Sequence, residues 1–327
     1  RLLTALHDGV LTQSPAAKDV LFERREPEFS TVDETFVDNN AAQNEAVELA
    51  VGAEDCALIH GPPGTGKTYT LAKIVRALVS RGDRVLLSAF TNRAVDNAIE
   101  ALEAQGFTDI VRVGTESGVR DDMQQYRLSQ SGNPGECAST LREASVVAAT
   151  TATAGSRRLK TQSFDVAVVD EAGQLTEPAT LAATALAERF VLVGDHHQLP
   201  PVVQSDVAAN EDGGRSGVAD LSTSMFQRLT EAYPDASVML DRQYRMSQAI
   251  QAFSSREFYD GRLRPASGAV AGQRIADLDA VEVDRLPDHL RNSVTFVDPD
   301  GTAEGNTNPL EADAVVEIVE SYLSAGL

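Results

Sequence analysis

The sequence predicts an α/β fold, a parallel sheet flanked by helices, and three observations carry that expectation. Apolar runs at residues 56–59, 84–89, 110–113, 145–149, 164–169 and 190–193 are continuous rather than alternating, the pattern of strands buried on both faces. Most lead through a polar loop into a helical pattern, which makes a repeated βα unit. The chain has 327 residues, 42% hydrophobic and 24% charged, enough for two domains that each bury a core.

The first run leads into Gly61-Pro62-Pro63-Gly64-Thr65-Gly66-Lys67-Thr68, and a helical pattern starts at Tyr69. This is G-x-x-x-x-G-K-[ST] between a strand and a helix. Glycines let the backbone turn its N–H groups inward around phosphate oxygens, and the helix N-terminus adds the positive end of its dipole. Lys67 is placed to reach the β- and γ-phosphates, and the Thr68 hydroxyl to ligate Mg²⁺. A chance lysine in a Gly/Pro turn would not fill every fixed position. An ATP-type site lined by residues 61–69 is the expectation.

Residues 1–35 are polar and weakly periodic, and are expected to be a linker or the remnant of an upstream accessory domain. A first domain is expected over 36–235. Its first helix holds Gln43, about 20 residues before the glycine loop. The Gln43 amide offers donor and acceptor to an adenine edge, although position alone favours a solvated glutamine in a first helical turn. Thr91 and Asn92 follow the second run, where α/β ligands bind, and suit either a nucleic-acid phosphate or simple helix capping. Residues 114–140 turn polar and read as an insertion. Thr150 and Thr151 end another run and form a second candidate phosphate-contacting edge.

The run at 164–169 ends in Asp170-Glu171-Ala172-Gly173-Gln174. Adjacent carboxylates after a buried strand call for a cation, since two close negative charges are otherwise unfavourable. Mg²⁺ on Asp170 supplies it, and Glu171 can orient or deprotonate an attacking water. The next run ends in Gly194-Asp195-His196-His197-Gln198-Leu199-Pro200-Pro201, where Gln198, stiffened by two prolines, can sense the γ-phosphate. Paired His196 and His197 raise zinc, but no cysteine or third ligand keeps metal spacing with them. Residues 205–222 read as an acidic surface loop. A second domain is expected over 236–327. It opens with a strand at 237–240 and reaches Asp241-Arg242-Gln243-Tyr244-Arg245-Met246. Arg245 suits an arginine finger and Tyr244 a stack on adenine. A strand at 293–297 and a helix at 309–325 complete the reading.

GPPGTGKT, SAFTNRAVDNA, VVDEAGQ, LVGDHHQLPP and DRQYRM, in this order, resemble a superfamily 1 helicase of the 5′→3′ branch. The similarity is closest to the helicase part of the DNA-replication helicase–nuclease family, with upframeshift-type RNA helicases as the runner-up. The resemblance implies two RecA-like domains with ATP between them and single-stranded nucleic acid across both, the second domain being only begun. It implies that Gln43 reads adenine, Lys67 and Thr68 hold phosphate and Mg²⁺, Asp170 holds Mg²⁺, and Glu171 is the base. It further implies that Gln198 senses the γ-phosphate, that Tyr244 stacks, that Arg245 is the finger, and that Thr91, Asn92, Thr150 and Thr151 touch the strand. The family's last two motifs would lie beyond Leu327, and its nuclease domain upstream of Arg1, so a fragment is expected.

Composition bounds the setting. No apolar run approaches the roughly 20 residues of a membrane span, and the N-terminus shows no signal pattern, so a cytoplasmic protein is expected; a monomer is expected as well. Cys56 and Cys137 form no metal pattern and fit a reducing compartment. Net charge is −21, with 49 acids against 28 bases, of which only Lys18, Lys67, Lys73 and Lys160 are lysines. Such acid-rich, lysine-poor surfaces suit very high salt, where repulsion is screened over only ~3 Å at 1 M. The acidity therefore reads as a halophilic adaptation and does not argue against a polyanionic partner. Single-stranded DNA is the expected partner, and RNA is the alternative. The competing class is a nucleotide-binding module without translocation, which would have no need of Glu171 or Arg245.

Overall fold

Among the described residues, strands form at β1 (Cys56–His60), β2 (Val85–Ala89), β3 (Ile110–Val113), β4 (Val146–Thr150), β5 (Phe164–Asp170), β6 (Ala187–Gly194) and β7 (Ser237–Met239). They make one sheet in the order β3-β4-β2-β5-β6-β1-β7, with every pairing parallel. The computed structural model describes residues 13–129, 134–202, 222–299, 305 and 307–327. It divides into a first unit of Arg1–Pro62 and Gly66–Leu240, and a second of Pro63–Thr65 and Asp241–Leu327.

In the first unit the period of two sorts each strand between two cores. Ala57 and Ile59 of β1, with Val166 and Val168 of β5, face helices Ala41–Gly52, Lys67–Ser80 and Asn92–Ala104. Cys56 and Leu58, with Ala167 and Val169, face the other way, toward helix Met225–Ala232. Both faces are covered, so the strands need no polar alternation. The expected RecA-like α/β arrangement is present, and its parallel strands bring all their C-terminal ends to one edge.

Several expectations change. The stretch expected to open a second domain at 237–240 is instead β7, paired with β1 at Ile59↔Val238, because its apolar side chains complete the first sheet. Residues 13–35 do not behave as a free linker. Ala17 and Val20 of helix Pro15–Leu21 are buried, and the Tyr233 hydroxyl donates to Val20 O at 2.9 Å. Within the 114–140 insertion lie two 3₁₀ turns, Glu116–Gly118 and Asp121–Tyr126, and the start of helix Pro134–Glu143. The acidic loop expected at 205–222 falls outside the described residues except at its last position.

The second unit contains helices Gln248–Phe258, Gly268–Gly272 and Pro309–Ser324, and a two-residue pairing of Arg242–Gln243 with Arg264–Pro265. No strand forms at 293–297, where Val294 and Phe296 are exposed and the apolar run pairs with no strand among the described residues. Helix Pro309–Ser324 forms as expected. Pro309 occupies its first position, and the Asn308 side chain caps it by accepting from Glu311 N.

Candidate functional site

Register decides which residues share the sheet edge. Thr150 of β4 pairs with Ala89 of β2, and Ala89 with Asp170 of β5, so the two candidate nucleic-acid loops lie to one side of the acidic loop. On the far side of β6, His60 pairs with Gly194. The glycine loop thus leaves β1 beside the loop that carries Gln198, and the Gly61 amide donates to Gly194 O at 2.9 Å.

Helix Lys67–Ser80 begins without a side-chain cap, and its N-cap Gly66 has φ +79, a left-handed conformation open to glycine at little cost. The first-turn amides are therefore available to phosphate oxygens. Lys67 Nζ donates to Gly61 O at 2.7 Å, folded back along its own loop. Gln43 is buried, 4% exposed, and a methyl on Gly66 would lie 2.9 Å from its Nε2. The solvated reading of Gln43 is thereby replaced: its amide packs on the glycine loop. Asn40 caps the helix that carries it. Thr68 is half-buried in the first turn, and Tyr69 is exposed, its ring 5.5 Å from Lys73 Nζ.

Asp170 is 5% exposed, and its Oδ1 accepts from the Glu171 amide at 2.9 Å. Burial, and next the charge of Glu171, push its carboxyl up to about 7, against the opposing pull of Lys67. A buried carboxylate short of positive charge, with a threonine hydroxyl on the same sheet edge, is a hard-oxygen donor set suited to Mg²⁺. Glu171 has φ +52, and a non-glycine residue in this region stores strain of about 1–2 kcal/mol. Gln174 Nε2 donates to Glu171 Oε2 at 3.3 Å. The loop is pressed against its neighbour, since a methyl on Gly173 would lie 2.6 Å from Asp195 O.

Asp195 organises that neighbour. It is 2% exposed, and accepts from the His197 amide at 3.1 Å and Gln198 Nε2 at 2.8 Å, while His60 Nε2 lies 3.0 Å from its Oδ1. Gln198 is therefore held by a buried acid at the end of β6, the strand next to that of Asp170. Asp195 belongs to none of the residue patterns that point to chemistry in the sequence; its place at a strand end is its one signal there.

The candidate nucleic-acid loops have internal tasks. Thr91 Oγ1 accepts from Ala94 N and Thr150 Oγ1 from Thr153 N, so both threonines cap helices. Thr151 is buried, 3% exposed. The Asn92 amide oxygen accepts from Arg112 at 2.8 Å, leaving its NH₂ and the loop backbone as the groups that could meet a phosphate. Phe90, just before this loop, is 51% exposed, an aromatic at the ligand edge that no motif in the sequence marks.

Within the second unit, buried Gln243 shapes the loop that follows it. Its Oε1 accepts from the amides of Arg245 and Met246 at 2.9 and 2.7 Å, and its Nε2 donates to Met246 O at 2.7 Å. The Tyr244 amide donates to Gly64 O at 2.8 Å, and a methyl on Gly64 would lie 2.7 Å from Arg245 Cβ. The tip of the glycine loop thus rests on the Tyr244-Arg245 backbone, and both residues are exposed.

A family model described as AAA domain matches residues 38–138 and 128–206, and a second of the same description matches 221–327. The chain is 35% identical over 301 residues to the DNA replication ATP-dependent helicase/nuclease JHS1 of Arabidopsis thaliana, covering 88% of this chain and 22% of that protein. It is 32% identical over 349 residues to the DNA replication ATP-dependent helicase/nuclease dna2 of Schizosaccharomyces pombe, covering 98% of this chain and 24% of that protein. The DNA polymerase alpha-associated DNA helicase A of the same yeast is 31% identical over 352 residues, covering 88% of this chain and 51% of that protein. The chain therefore spans about a quarter of the first two relatives and half of the third.

Proposed function

The chain belongs to the AAA domain family in its superfamily 1 helicase form, and from that premise we propose that it is the ATP-hydrolysing motor of a helicase that moves on single-stranded DNA. The observation that carries the proposal is the acidic edge of β5: a buried Asp170 and a strained Glu171, placed by register in the same row of strand ends as the glycine loop. A module that only binds nucleotide has no use for a carboxylate held in an unfavourable conformation beside a metal-binding one.

Gln43 would hold the adenine edge, the loop amides and Lys67 the phosphates, and Thr68 and Asp170 would hold Mg²⁺. The ion would supply neutralisation of the negative charge on the phosphates. Glu171 takes the proton of the attacking water, and Gln198, tied to Asp195, responds to the γ-phosphate. Tyr244 stacks on adenine, and Arg245 completes the charge stabilisation as a finger. The strand is held by the loop amides at Thr91, Asn92, Thr150 and Thr151 and by the Asn92 NH₂, with Phe90 stacking a base. The proposal includes a monomeric motor working in a high-salt cytoplasm, and a nuclease domain on the full-length protein.

The test is ATP hydrolysis by the full-length protein in high KCl, with single-stranded DNA or RNA of equal length. DNA stimulation is expected. Stimulation by RNA alone would transfer the motor to RNA, and stimulation by neither would reduce it to a nucleotide-binding module.

A further inference from the structure

Three imidazoles meet at the ends of β1 and β6, apart from the residues assigned to nucleotide. His60 closes β1, and His196 and His197 follow Asp195 just after β6; Asp195 itself is 135 residues along the chain from His60. Ring centroids lie 4.7 Å apart for His60 and His196, 5.5 Å for His60 and His197, and 4.1 Å for His196 and His197. One ring nitrogen from each lies within 4.8 Å of the others. Spacing along the chain offered no third ligand to the histidine pair; the parallel register His60↔Gly194 supplies it.

Packing against Phe226, whose ring centroid is 6.3 Å from His60 and 6.0 Å from His196, would account for the rings being close. It does not account for two other features. His196 Nδ1 is buried with no hydrogen-bond partner, which is uncommon for a ring nitrogen and favours an ion as its partner. Asp195, itself buried, is hydrogen-bonded to His60 Nε2 at 3.0 Å, the carboxylate–imidazole pairing that orients a metal-ligating histidine and sets its tautomer.

We propose that His60, His196 and His197 form a three-nitrogen site for a zinc-class divalent ion, with Asp195 as the outer partner of His60 and the fourth position open. Imidazole nitrogens select zinc, cobalt or nickel over magnesium, which takes oxygen ligands, so this site is chemically distinct from Thr68 and Asp170. Metal–nitrogen distances of ~2.0–2.1 Å in a tetrahedron set the ligands about 3.3 Å apart. Binding therefore draws the three rings together, and His197, exposed on its loop, is the one with room to move. Asp195 also accepts from Gln198 Nε2 at 2.8 Å, so the ion and the glutamine share one carboxylate.

The experiment is a titration of the nucleotide-free chain with Co²⁺ alone, followed by visible absorption. The expected result is the intense spectrum of tetrahedral cobalt, saturating at about one ion per chain and bleached by Zn²⁺. His197→Ala, an exposed change, should weaken it by at least about tenfold while leaving thermal unfolding within a few degrees. Cys137→Ser should leave it unchanged. Only the weak octahedral spectrum, an unaltered spectrum in His197→Ala, or loss of the spectrum in Cys137→Ser would each overturn the assignment.

Discussion

Arg112 and Asp96 form an ion pair of 2.9 Å from which water is excluded, their side chains being 0% and 2% exposed. Arg112 stands in the middle of β3 and also donates to Val113 O and to Asn92 Oδ1, both at 2.8 Å, while Asp96 Oδ2 accepts from the Arg120 amide at 3.0 Å. One buried guanidinium thus ties the loop after β2 to β3 and, through Asp96, to the insertion. Breaking such a pair strands the remaining charge. Arg112→Ala should lower unfolding free energy by about 3–5 kcal/mol, and the double change Arg112→Leu with Asp96→Leu should recover much of it. Denaturant unfolding measures both, and equal losses in the two variants would refute the account.

Glu171 separates chemistry from stability. Glu171→Gln should leave ATP affinity nearly unchanged and lower turnover by about 10²–10⁴-fold. Glu171→Gly should abolish turnover too, yet raise stability by about 1 kcal/mol, because glycine accepts φ +52 without strain. Steady-state hydrolysis and thermal unfolding read the two effects; retained turnover in Glu171→Gln would remove it as the base.

Gly173 sets the distance between the acidic loop and Asp195. Alanine there must push the backbone at Asp195 away from 2.6 Å, at about 1–3 kcal/mol. Gly173→Ala should therefore reduce the single-turnover hydrolysis rate more than it reduces ATP affinity. An unaltered rate would show that Asp170-Glu171 and Asp195-Gln198 act independently.

Asp170 predicts a pH dependence. Its carboxyl is raised to about 7 by burial and Glu171, so it holds a proton below that pH and loses it above. Mg²⁺ needs the ionised form, so magnesium-dependent ATP affinity should weaken by about tenfold per unit as pH falls below 7, and level off above it. The stability sign is opposite. A raised acid binds its proton more tightly folded than unfolded, so the metal-free chain should gain stability as pH falls from about 7 toward the ordinary carboxylate value. Asp170→Asn should flatten both trends, as fluorescent-nucleotide titration and thermal unfolding across pH would reveal.

Phe90→Ala should weaken single-stranded DNA binding by about 1–3 kcal/mol, the contribution of one stacked base, without changing ATP affinity. Fluorescence anisotropy of a labelled oligonucleotide decides it; unchanged anisotropy would assign Phe90 to some other surface.

Much of the site was legible before folding. The glycine loop, the Asp170-Glu171 pair and Gln198 each sit in a short segment whose chemistry follows from residue type and spacing, and the six apolar runs reappear as β1 to β6. The stretches that misled are those where a local pattern left the partner unspecified. Residues 237–240 read as a strand but joined the first sheet as β7, and the apolar run at 293–297 pairs with no strand among the described residues. Asn92 looked equally suited to a phosphate or a cap, and its oxygen went to an arginine 20 residues away.

By itself, then, the sequence determined the local elements and the chemical kinds of group at their ends, because hydrogen-bond periodicity and side-chain alternation act over a few residues. Only the tertiary structure decided which ends lie side by side. Strand order set His60 against the His196-His197 pair, placed Asp195 between His60 and Gln198, and buried Arg112 on Asp96. The reason is physical: a parallel sheet joins strands far apart in the chain, and their neighbours are chosen by how two buried faces pack, which no short segment encodes.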